Sequence, residues 1–202
     1  MNKSEKIKDF WNVSCKDYDL HMAETKHYNA QEKILELLSN QIKEPILDLA
    51  CGTGFLIKLL SNKFFKISGN DFSSEMVKIA RKNKFSITND DAETLNSYSN
   101  KFATIISCNL FFYLQNRNKA VKRWVELLDS NGKIIFIEEY PFIKPKSEEM
   151  DEHSEKLMNL IDPISPEEIE SLMVQNGFSL IKKVETRIDK KHNLYGLVFS
   201  LR

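Results

Sequence analysis

The amino-acid sequence predicts an α/β fold in which a mostly parallel sheet lies between two layers of helices. Between residues 46 and 137, short apolar runs alternate with segments of helical periodicity. This alternation is typical of parallel strands joined by crossover helices. Residues 165–202 then add a helix and two strand-like runs that indicate an antiparallel hairpin. We therefore predict a seven-stranded sheet in a single domain that covers residues 1–202.

The five strands of the parallel part are each short and strongly apolar, as expected for strands buried on both faces. They are predicted at 46–50, 65–70, 85–88, 102–108 and 134–137. Helices with one apolar face are predicted at 28–38, 55–62, 73–82 and 118–129. Ser73 or Ser74 is expected to cap the third of these, and Gly132 is expected to stop the fourth.

The carboxyl-terminal region begins with a strong helix-start signal. Ser165-Pro166-Glu167-Glu168 combines a capping serine, a proline at the first helical position and a glutamate three residues after the serine. The predicted helix ends at Gly177. Strands at 179–187 and 194–201 follow, and the chain between them is expected to turn at 189–193.

Composition and charge exclude several classes of partner. Lys plus Arg and Asp plus Glu are 29 each, so the chain lacks the basic excess of a nucleic-acid binder. Residues 1–9 lack the apolar core of a secretory signal, and no apolar run approaches the roughly 18 residues of a membrane span. The three cysteines are far apart, without disulfide or metal-ligand spacing. We expect a cytoplasmic protein with no nucleic-acid or membrane partner and no metal site; its oligomeric state is left open.

The strongest motif is a glycine-bearing turn directly after the first predicted strand. Gly52 and Gly54 permit a tight turn and a close approach of ligand to backbone, at the amino end of the next helix. A dinucleotide-binding fingerprint would have a third glycine at the position of Ile57, and the Gly-Lys-Ser/Thr of a phosphate-binding loop is missing. Asp48 would repel a pyrophosphate, whereas it suits a cationic ammonium group.

The run Asp-Leu-Ala-Cys-Gly-Thr-Gly at 48–54 resembles motif I of the class I S-adenosylmethionine-dependent methyltransferases, of the broad small-molecule type 11/25. The resemblance implies a three-layer Rossmann-like fold and S-adenosylmethionine as cofactor. It further implies that Ala50, Cys51 and Gly52, in the turn that Gly54 completes, hold the methionine part of the cofactor. Asp48 would act on the amino group, directly or through water.

A second acid follows the second predicted strand. Asp71 can accept hydrogen bonds from two neighbouring ribose hydroxyls, because a carboxylate has acceptor sites on both oxygens. By the same resemblance, Asp71 would bind the ribose, and Phe72 and Met76 would pack near the adenine.

Two further segments extend the resemblance, which covers residues 46–138. Asn89-Asp90-Asp91-Ala92-Glu93-Thr94-Leu95 is similar to the family's Gly-Asp-Ala-x-x-Leu segment, which implies that Asp91 and Ala92 recognise the adenine edge. Cys108 and Asn109 end the fourth strand, where related enzymes face the transferred methyl group.

The residues that would act in catalysis are less well defined. A general base is needed only if the methyl acceptor arrives protonated. Histidine titrates near pH ~6.5, so His21 or His27 could accept a proton near neutral pH. Tyr18 and Asn109 are the other candidates. For each histidine, an exposed position without a catalytic role is the alternative.

The leading hypothesis is methyl transfer from S-adenosylmethionine to a small-molecule acceptor. One alternative is a non-catalytic methyltransferase-like scaffold or regulator, and a second is an NAD-dependent oxidoreductase. On the leading hypothesis, residues 1–44 form an amino-terminal helical cap region and 45–139 the cofactor-binding core. Residues 140–164 form a substrate cap with a helical piece at 148–160, or a plain connection, and 165–202 supply the last helix and the hairpin.

Overall fold

The fold is built on one seven-stranded sheet with the strand order β3-β2-β1-β4-β5-β7-β6. We describe residues 2–141 and 151–202 of a computed structural model. The strands are β1 (Ile46–Leu49), β2 (Ile67–Asp71), β3 (Ile87–Asn89), β4 (Phe102–Cys108), β5 (Leu128–Tyr140), β6 (Phe178–Arg187) and β7 (Asn193–Leu201). Neighbouring strands from β3 through β5 are parallel, and β7 is antiparallel to both β5 and β6. The predicted sheet and its carboxyl-terminal hairpin are confirmed.

Helices cover both faces of the sheet. They are α1 (Lys3–Ser14), α2 (Tyr18–Glu24), α3 (His27–Leu38), α4 (Phe55–Leu60), α5 (Ser74–Lys82), α6 (Arg117–Leu127), α7 (Glu152–Met158) and α8 (Pro166–Gln175). Ser73 caps α5, because its hydroxyl accepts a hydrogen bond from the Met76 amide. None of the described helices has the length and apolar character needed to cross a membrane.

The core consists of two main apolar clusters, one on each face of the sheet. Consecutive residues of β5 alternate between them, because successive side chains of a strand point to opposite faces. Ile134 and Phe136 join the cluster under α6 and α8, while Ile135 and Ile137 join the cluster under α3 and α4. This two-sided burial explains why the central strands have continuous apolar runs.

The amino-terminal helices are fixed over the carboxyl edge of the parallel strands. An Asn2–Glu5 capping box begins α1. Near the end of α1, the Asn12 side-chain oxygen accepts hydrogen bonds from the Ser73 hydroxyl at 2.8 Å and from the Glu75 amide at 3.3 Å. These contacts place the amino-terminal helical region beside the loop that follows β2.

The predicted end of the fourth helix at Gly132 is wrong. Helix α6 ends at Leu127, and Leu128 pairs with Phe102 at the start of β5, so Gly132 lies inside a strand. A Cβ atom at Gly132 would lie 2.7 Å from the Leu128 side chain, so the glycine permits this close contact. The strand therefore begins before the predicted 134–137 segment and also extends beyond it, to Tyr140.

Other predicted boundaries differ by a few residues. Phe65 was expected to begin the second strand, but its side chain is 92% exposed and β2 begins at Ile67. The helical piece predicted at 148–160 is represented by α7, and residues 142–150 lie outside the described residues.

Candidate active site

A cavity of about 630 Å³ lies at the carboxyl ends of the parallel strands, beneath the amino-terminal helices and α7. The strand order reverses at β1, which has β2 on one side and β4 on the other. Ligands of open α/β sheets bind at this kind of topological switch point. The strand ends contribute Ala50 and Gly52 after β1, Asp71 in β2, Asp91 after β3, Cys108 and Asn109 at β4, and Glu139 in β5.

The two positions of the turn after β1 are glycines for different structural reasons. Both have positive φ angles, 55° at Gly52 and 91° at Gly54. A Cβ atom at Gly54 would lie 2.7 Å from the Phe85 ring, so this glycine is required by packing between elements. A Cβ atom at Gly52 would meet only Tyr18, at 3.8 Å, and both residues line the cavity. Gly52 therefore leaves space for a ligand.

The carboxylate of Asp71 lies beside the glycine turn. Its Oδ2 accepts a hydrogen bond from the Gly52 amide and its Oδ1 from the Ser73 amide, both at 2.8 Å. Each oxygen has a second acceptor site, so the carboxylate can still bind two hydroxyl groups. Burial raises the pKa of Asp71 to about 6, although the two amide hydrogen bonds lower it.

Asp48 is almost fully buried, at 1% exposure, directly below this turn. Within the described residues neither of its carboxylate oxygens has a hydrogen-bond partner. Burial, together with the nearby Asp71 carboxylate, raises the pKa of Asp48 well above its usual range. Asp48 does not line the cavity, which favours the water-mediated form of its predicted contact with an ammonium group.

The end of the cavity at β2 and β3 suits a flat apolar ring with a polar edge. Phe72, Met76 and Ala92 line it, as does Asp91, whose Oδ1 accepts a 2.8 Å hydrogen bond from the Glu93 amide. Burial raises the pKa of the Asp91 carboxyl. These are the residues predicted to contact the adenine, and the structure brings them together.

The other end of the cavity is formed by the ends of β4 and β5. Asn109 has a positive φ of 53°, an uncommon conformation for a residue other than glycine. Its side-chain oxygen accepts a hydrogen bond from the Glu139 amide at 3.0 Å. Cys108 also lines this end, and burial raises the pKa of its thiol well above the usual range, which favours a packing role.

Two acids at the end of β5 were missed by the sequence analysis. Glu138 accepts hydrogen bonds from the amides of Leu110 and Phe111, and burial raises its pKa to about 8. Glu139 lines the cavity and its Oε2 lies 3.1 Å from Nε2 of His27. Both acids follow the apolar run of the fifth strand, as Asp71 and Asp91 follow the second and third, and this repetition could have revealed them.

All four residues predicted as catalytic candidates line the cavity, namely Tyr18, His21, His27 and Asn109. His21 is exposed, whereas His27 is half-buried and both its ring nitrogens face oxygen atoms. Nε2 of His27 donates to Oε2 of Glu139. Nδ1 of the neutral ring is then an acceptor, so the Thr25 hydroxyl, 2.6 Å from the His21 carbonyl and 2.7 Å from Nδ1, can donate to either of them.

A contact through Asp19 connects the amino-terminal helices with the glycine turn. The hydroxyl groups of Thr53 and Tyr28 both donate to Oδ1 of Asp19, at 2.6 Å and 2.5 Å. The Tyr28 ring stacks on Phe55, the first residue of α4, with 3.6 Å between ring centroids. The cover of the cavity is therefore bonded to the loop that forms its floor.

The residues present fit S-adenosylmethionine. Buried acids face a ligand that is positively charged at its sulfonium and ammonium groups, and an apolar region is available for its adenine. Of the predicted cofactor contacts, Ala50, Gly52, Asp71, Phe72, Met76, Asp91, Ala92, Cys108 and Asn109 line the cavity, whereas Asp48, Cys51 and Gly54 do not. Within 2–141 and 151–202, no group of three His, Cys, Asp or Glu side chains is placed to hold a metal ion.

Comparison with known sequences relates part of the chain to methyltransferases. Residues 46–132 match the family described as a methyltransferase domain. Malonyl-[acyl-carrier protein] O-methyltransferase of Priestia megaterium is 30% identical over 67% of this chain and 52% of its own length. Demethylmenaquinone methyltransferase of Thermotoga maritima is 30% identical over 55% of this chain and 50% of its own length. The chain thus spans about half the length of these curated relatives.

Solved structures of methyltransferases share the whole fold. An S-adenosylmethionine-dependent methyltransferase of Anabaena variabilis has a TM-score of 0.74 at 18% identity, covering 100% of this chain and 96% of the other. Magnesium protoporphyrin IX methyltransferase of Synechocystis with bound S-adenosylhomocysteine has a TM-score of 0.72 at 16% identity, covering all of both chains. Residues 46–132 thus match the methyltransferase-domain family, and the fold of the chain is that of S-adenosylmethionine-dependent methyltransferases.

Proposed function

We propose that this protein transfers a methyl group from S-adenosylmethionine to a small-molecule acceptor. The observation that carries the proposal is that one continuous cavity extends from Asp91 and Asp71 to Asn109 and Glu139. Such a cavity has room for a nucleoside at one end and a second ligand at the other. Volumes of about 300–1,000 Å³ are typical of sites for small molecules.

The bound cofactor would supply a methyl group activated by the positive sulfonium. The protein's contribution would be to bind, align and exclude water. Asp71 would hold the ribose and the backbone at Gly52 the methionine part, so that the methyl group points along the cavity toward Asn109. Alignment of the two reactants accounts for much of the barrier reduction in a displacement of this kind.

A small acceptor is supported by the cover over the cavity. Residues of α1, α2 and α7 all line it, which favours an acceptor that fits beneath these helices. Demethylmenaquinone methyltransferase, one of the relatives, is named for a small-molecule acceptor.

The three cysteines are free thiols, and we place the protein in the reducing cytoplasm for this reason.

The test is methyl transfer from methyl-labelled S-adenosylmethionine into a cell extract divided by ultrafiltration. The proposal predicts that the purified protein labels compounds of the low-molecular-weight fraction and that Asp71→Ala does not. Label confined to the macromolecular fraction would contradict a small acceptor. Binding of the cofactor without labelling of either fraction would favour the non-catalytic scaffold.

A further inference from the structure

The cavity has a distinct acceptor end, if the proposed function holds. Asp71 and Asp91, the acids suited to ribose and adenine, are at β2 and β3, whereas Glu139 is in β5. In the sheet, β2, β1 and β4 lie between β3 and β5, so four steps from strand to neighbouring strand separate β3 from β5. At about 4.8 Å per step, roughly 19 Å separates these two strands. A nucleoside at one end leaves the other free.

The contacts of Glu139 orient its carboxylate so that one oxygen is available at the acceptor end of the cavity. The residue is only 9% exposed, and its Oε2 accepts from His27 at 3.1 Å. Its backbone amide is fixed by Asn109. Within the described part of the chain its Oε1 accepts no hydrogen bond, and Glu139 lines the cavity. Oε1 is thus an oriented carboxylate oxygen on a residue that lines the cavity, where it can accept a hydrogen bond from a ligand.

The charges around the cavity favour a donor that is cationic. Of the described lining residues, five are acids, namely Asp17, Asp71, Asp91, Glu93 and Glu139. Lys8 is the only lysine among them and none is an arginine; its Nζ lies 5.3 Å from the ring centre of Phe72, at the nucleoside end. The His27 ring nitrogens are already bonded to Thr25 and Glu139. A carboxylate or phosphate acceptor would therefore meet the Glu139 carboxylate with neither a lysine nor an arginine of the described lining at that end to bind it.

Aromatic rings form the wall of the cavity near its amino-terminal cover. Trp11 packs edge-to-face against Tyr18 and Tyr113, with centroid distances of 5.6 Å and 5.7 Å, and all three line the cavity. Aromatic rings accommodate an apolar body and also attract a cation through their π-faces. A carboxylate beside aromatic walls is the combination that binds an organic ammonium ion.

We propose that the methyl acceptor is an amine, bound as its ammonium ion by Oε1 of Glu139 and methylated on nitrogen. In an ammonium ion the nitrogen lone pair is held in an N–H bond, so a proton must leave before nitrogen can attack. Oε1 takes this proton. Nitrogen then forms a bond to the methyl carbon while the carbon–sulfur bond breaks and its electron pair stays on sulfur. The products are an N-methylammonium ion, neutral S-adenosylhomocysteine and protonated Glu139, so charge is conserved.

In this account Glu139 is the catalytic residue and His27 is a positioning residue. The His27 ring holds Oε2, which directs Oε1 toward the cavity. His27→Ala is expected to weaken binding of an amine while leaving binding of a matched alcohol unchanged. His27→Gln, whose amide can still donate to Oε2, is expected to restore part of the loss, a recovery that a merely structural role would not produce.

The experiment is calorimetric titration of the full chain, first with S-adenosylhomocysteine and then, at saturation, with three probes that carry different polar groups on the same 2-phenylethyl chain. The probes are 2-phenylethylamine, 2-phenylethanol and 3-phenylpropionate. We expect the amine to bind at least tenfold more tightly than the other two. Glu139→Gln is expected to remove this preference while its S-adenosylhomocysteine affinity stays within twofold. Glu36→Gln removes an exposed acid on α3 that does not line the cavity, and it should bind like the wild type.

The outcomes separate this inference from the proposed function. Failure of S-adenosylhomocysteine to bind overturns both. Binding of S-adenosylhomocysteine without a preference for the amine, or without detectable binding of the amine, overturns only the amine acceptor. An amine preference that survives Glu139→Gln also overturns it, because the preference would then come from another group.

Discussion

The backbone amide of Gly52 donates a 2.8 Å hydrogen bond to Oδ2 of Asp71. This bond connects the turn after β1 with the last residue of β2, two features that the sequence places far apart. The turn is therefore held at a fixed distance from the carboxylate that would bind the ribose.

Asp71→Ala is expected to weaken S-adenosylmethionine binding by more than tenfold. The change removes charge-assisted hydrogen bonds to the ribose, which contribute about 1.5–3 kcal/mol each. Calorimetry measures the effect, and Glu185→Gln, which changes an exposed acid on β6, is the control. Unchanged affinity would remove Asp71 from the ribose role.

Changing each of the two glycines to alanine is expected to have a different effect, mainly on stability at Gly54 and mainly on cofactor affinity at Gly52. Both variants incur about 1–2 kcal/mol for a left-handed backbone conformation. Gly54→Ala also places a Cβ atom 2.7 Å from Phe85, so it should lower the melting temperature more than Gly52→Ala does. Gly52→Ala instead directs its Cβ toward the cavity and should lose cofactor affinity. Thermal unfolding and calorimetry together test this, and equal losses of stability and affinity in the two variants would contradict it.

The free energy of unfolding of the ligand-free protein is expected to fall as the pH rises from 6.5 to 8.5. Burial raises the pKa of Glu138 from 4.5 to about 8, so the folded state retains a proton that the unfolded state has released. The stability linked to this proton is fully present below pH 4.5 and is lost as the pH rises through 8. Asp71, with a pKa of about 6, has largely titrated below this window.

Glu138→Gln should make this fall in stability less steep, while the contribution of the buried Asp48, whose pKa is also raised, remains. Its amide oxygen can still accept from the Leu110 and Phe111 amides, but the titrating proton is gone. Urea unfolding at several pH values measures the slope for wild type and variant. Parallel curves for the two proteins would show that Glu138 does not titrate in this window.

Thr53→Val is expected to loosen the amino-terminal cover over the cavity. It removes one of the two hydroxyl groups that donate to Asp19 and leaves the shape of the side chain nearly unchanged. Loss of a hydrogen bond worth about 0.5–1.5 kcal/mol corresponds to a roughly two- to tenfold lower affinity for the cofactor. Stopped-flow measurements should find the difference in the dissociation rate. A dissociation rate equal to that of the wild type would show that this contact does not retain the cofactor.

The sheet could be predicted from the sequence because its physical causes are local. Apolar runs indicate the strands β1 and β4, and the capping serines Ser73 and Ser165 indicate where α5 and α8 begin. The prediction for Gly132 was wrong because a glycine can either end a helix or permit a close contact inside a strand, and the sequence alone does not distinguish these roles. Only the tertiary position of Leu128 distinguishes the two.

The nucleoside end of the site was predictable for a similar reason, since Asp71 and Asp91 directly follow apolar strands. At the acceptor end Asn109 and His27 were among the predicted candidates, but Glu139 and its pairing with His27 were not, because this pairing depends on contacts between distant segments. His27 and Glu139 are 112 residues apart, and their pairing follows from α3 packing beside the end of β5. The Asp19–Thr53 contact spans 34 residues and has no sequence signal of its own.

The most direct test of the central claim is calorimetric titration of the purified protein with S-adenosylmethionine, S-adenosylhomocysteine and NAD in parallel. The arrangement of Asp48, Gly52 and Asp71 predicts micromolar binding of the two sulfur-containing nucleosides and no binding of NAD. Binding of NAD alone would contradict the cofactor assignment and, with it, the methyl transfer proposed here.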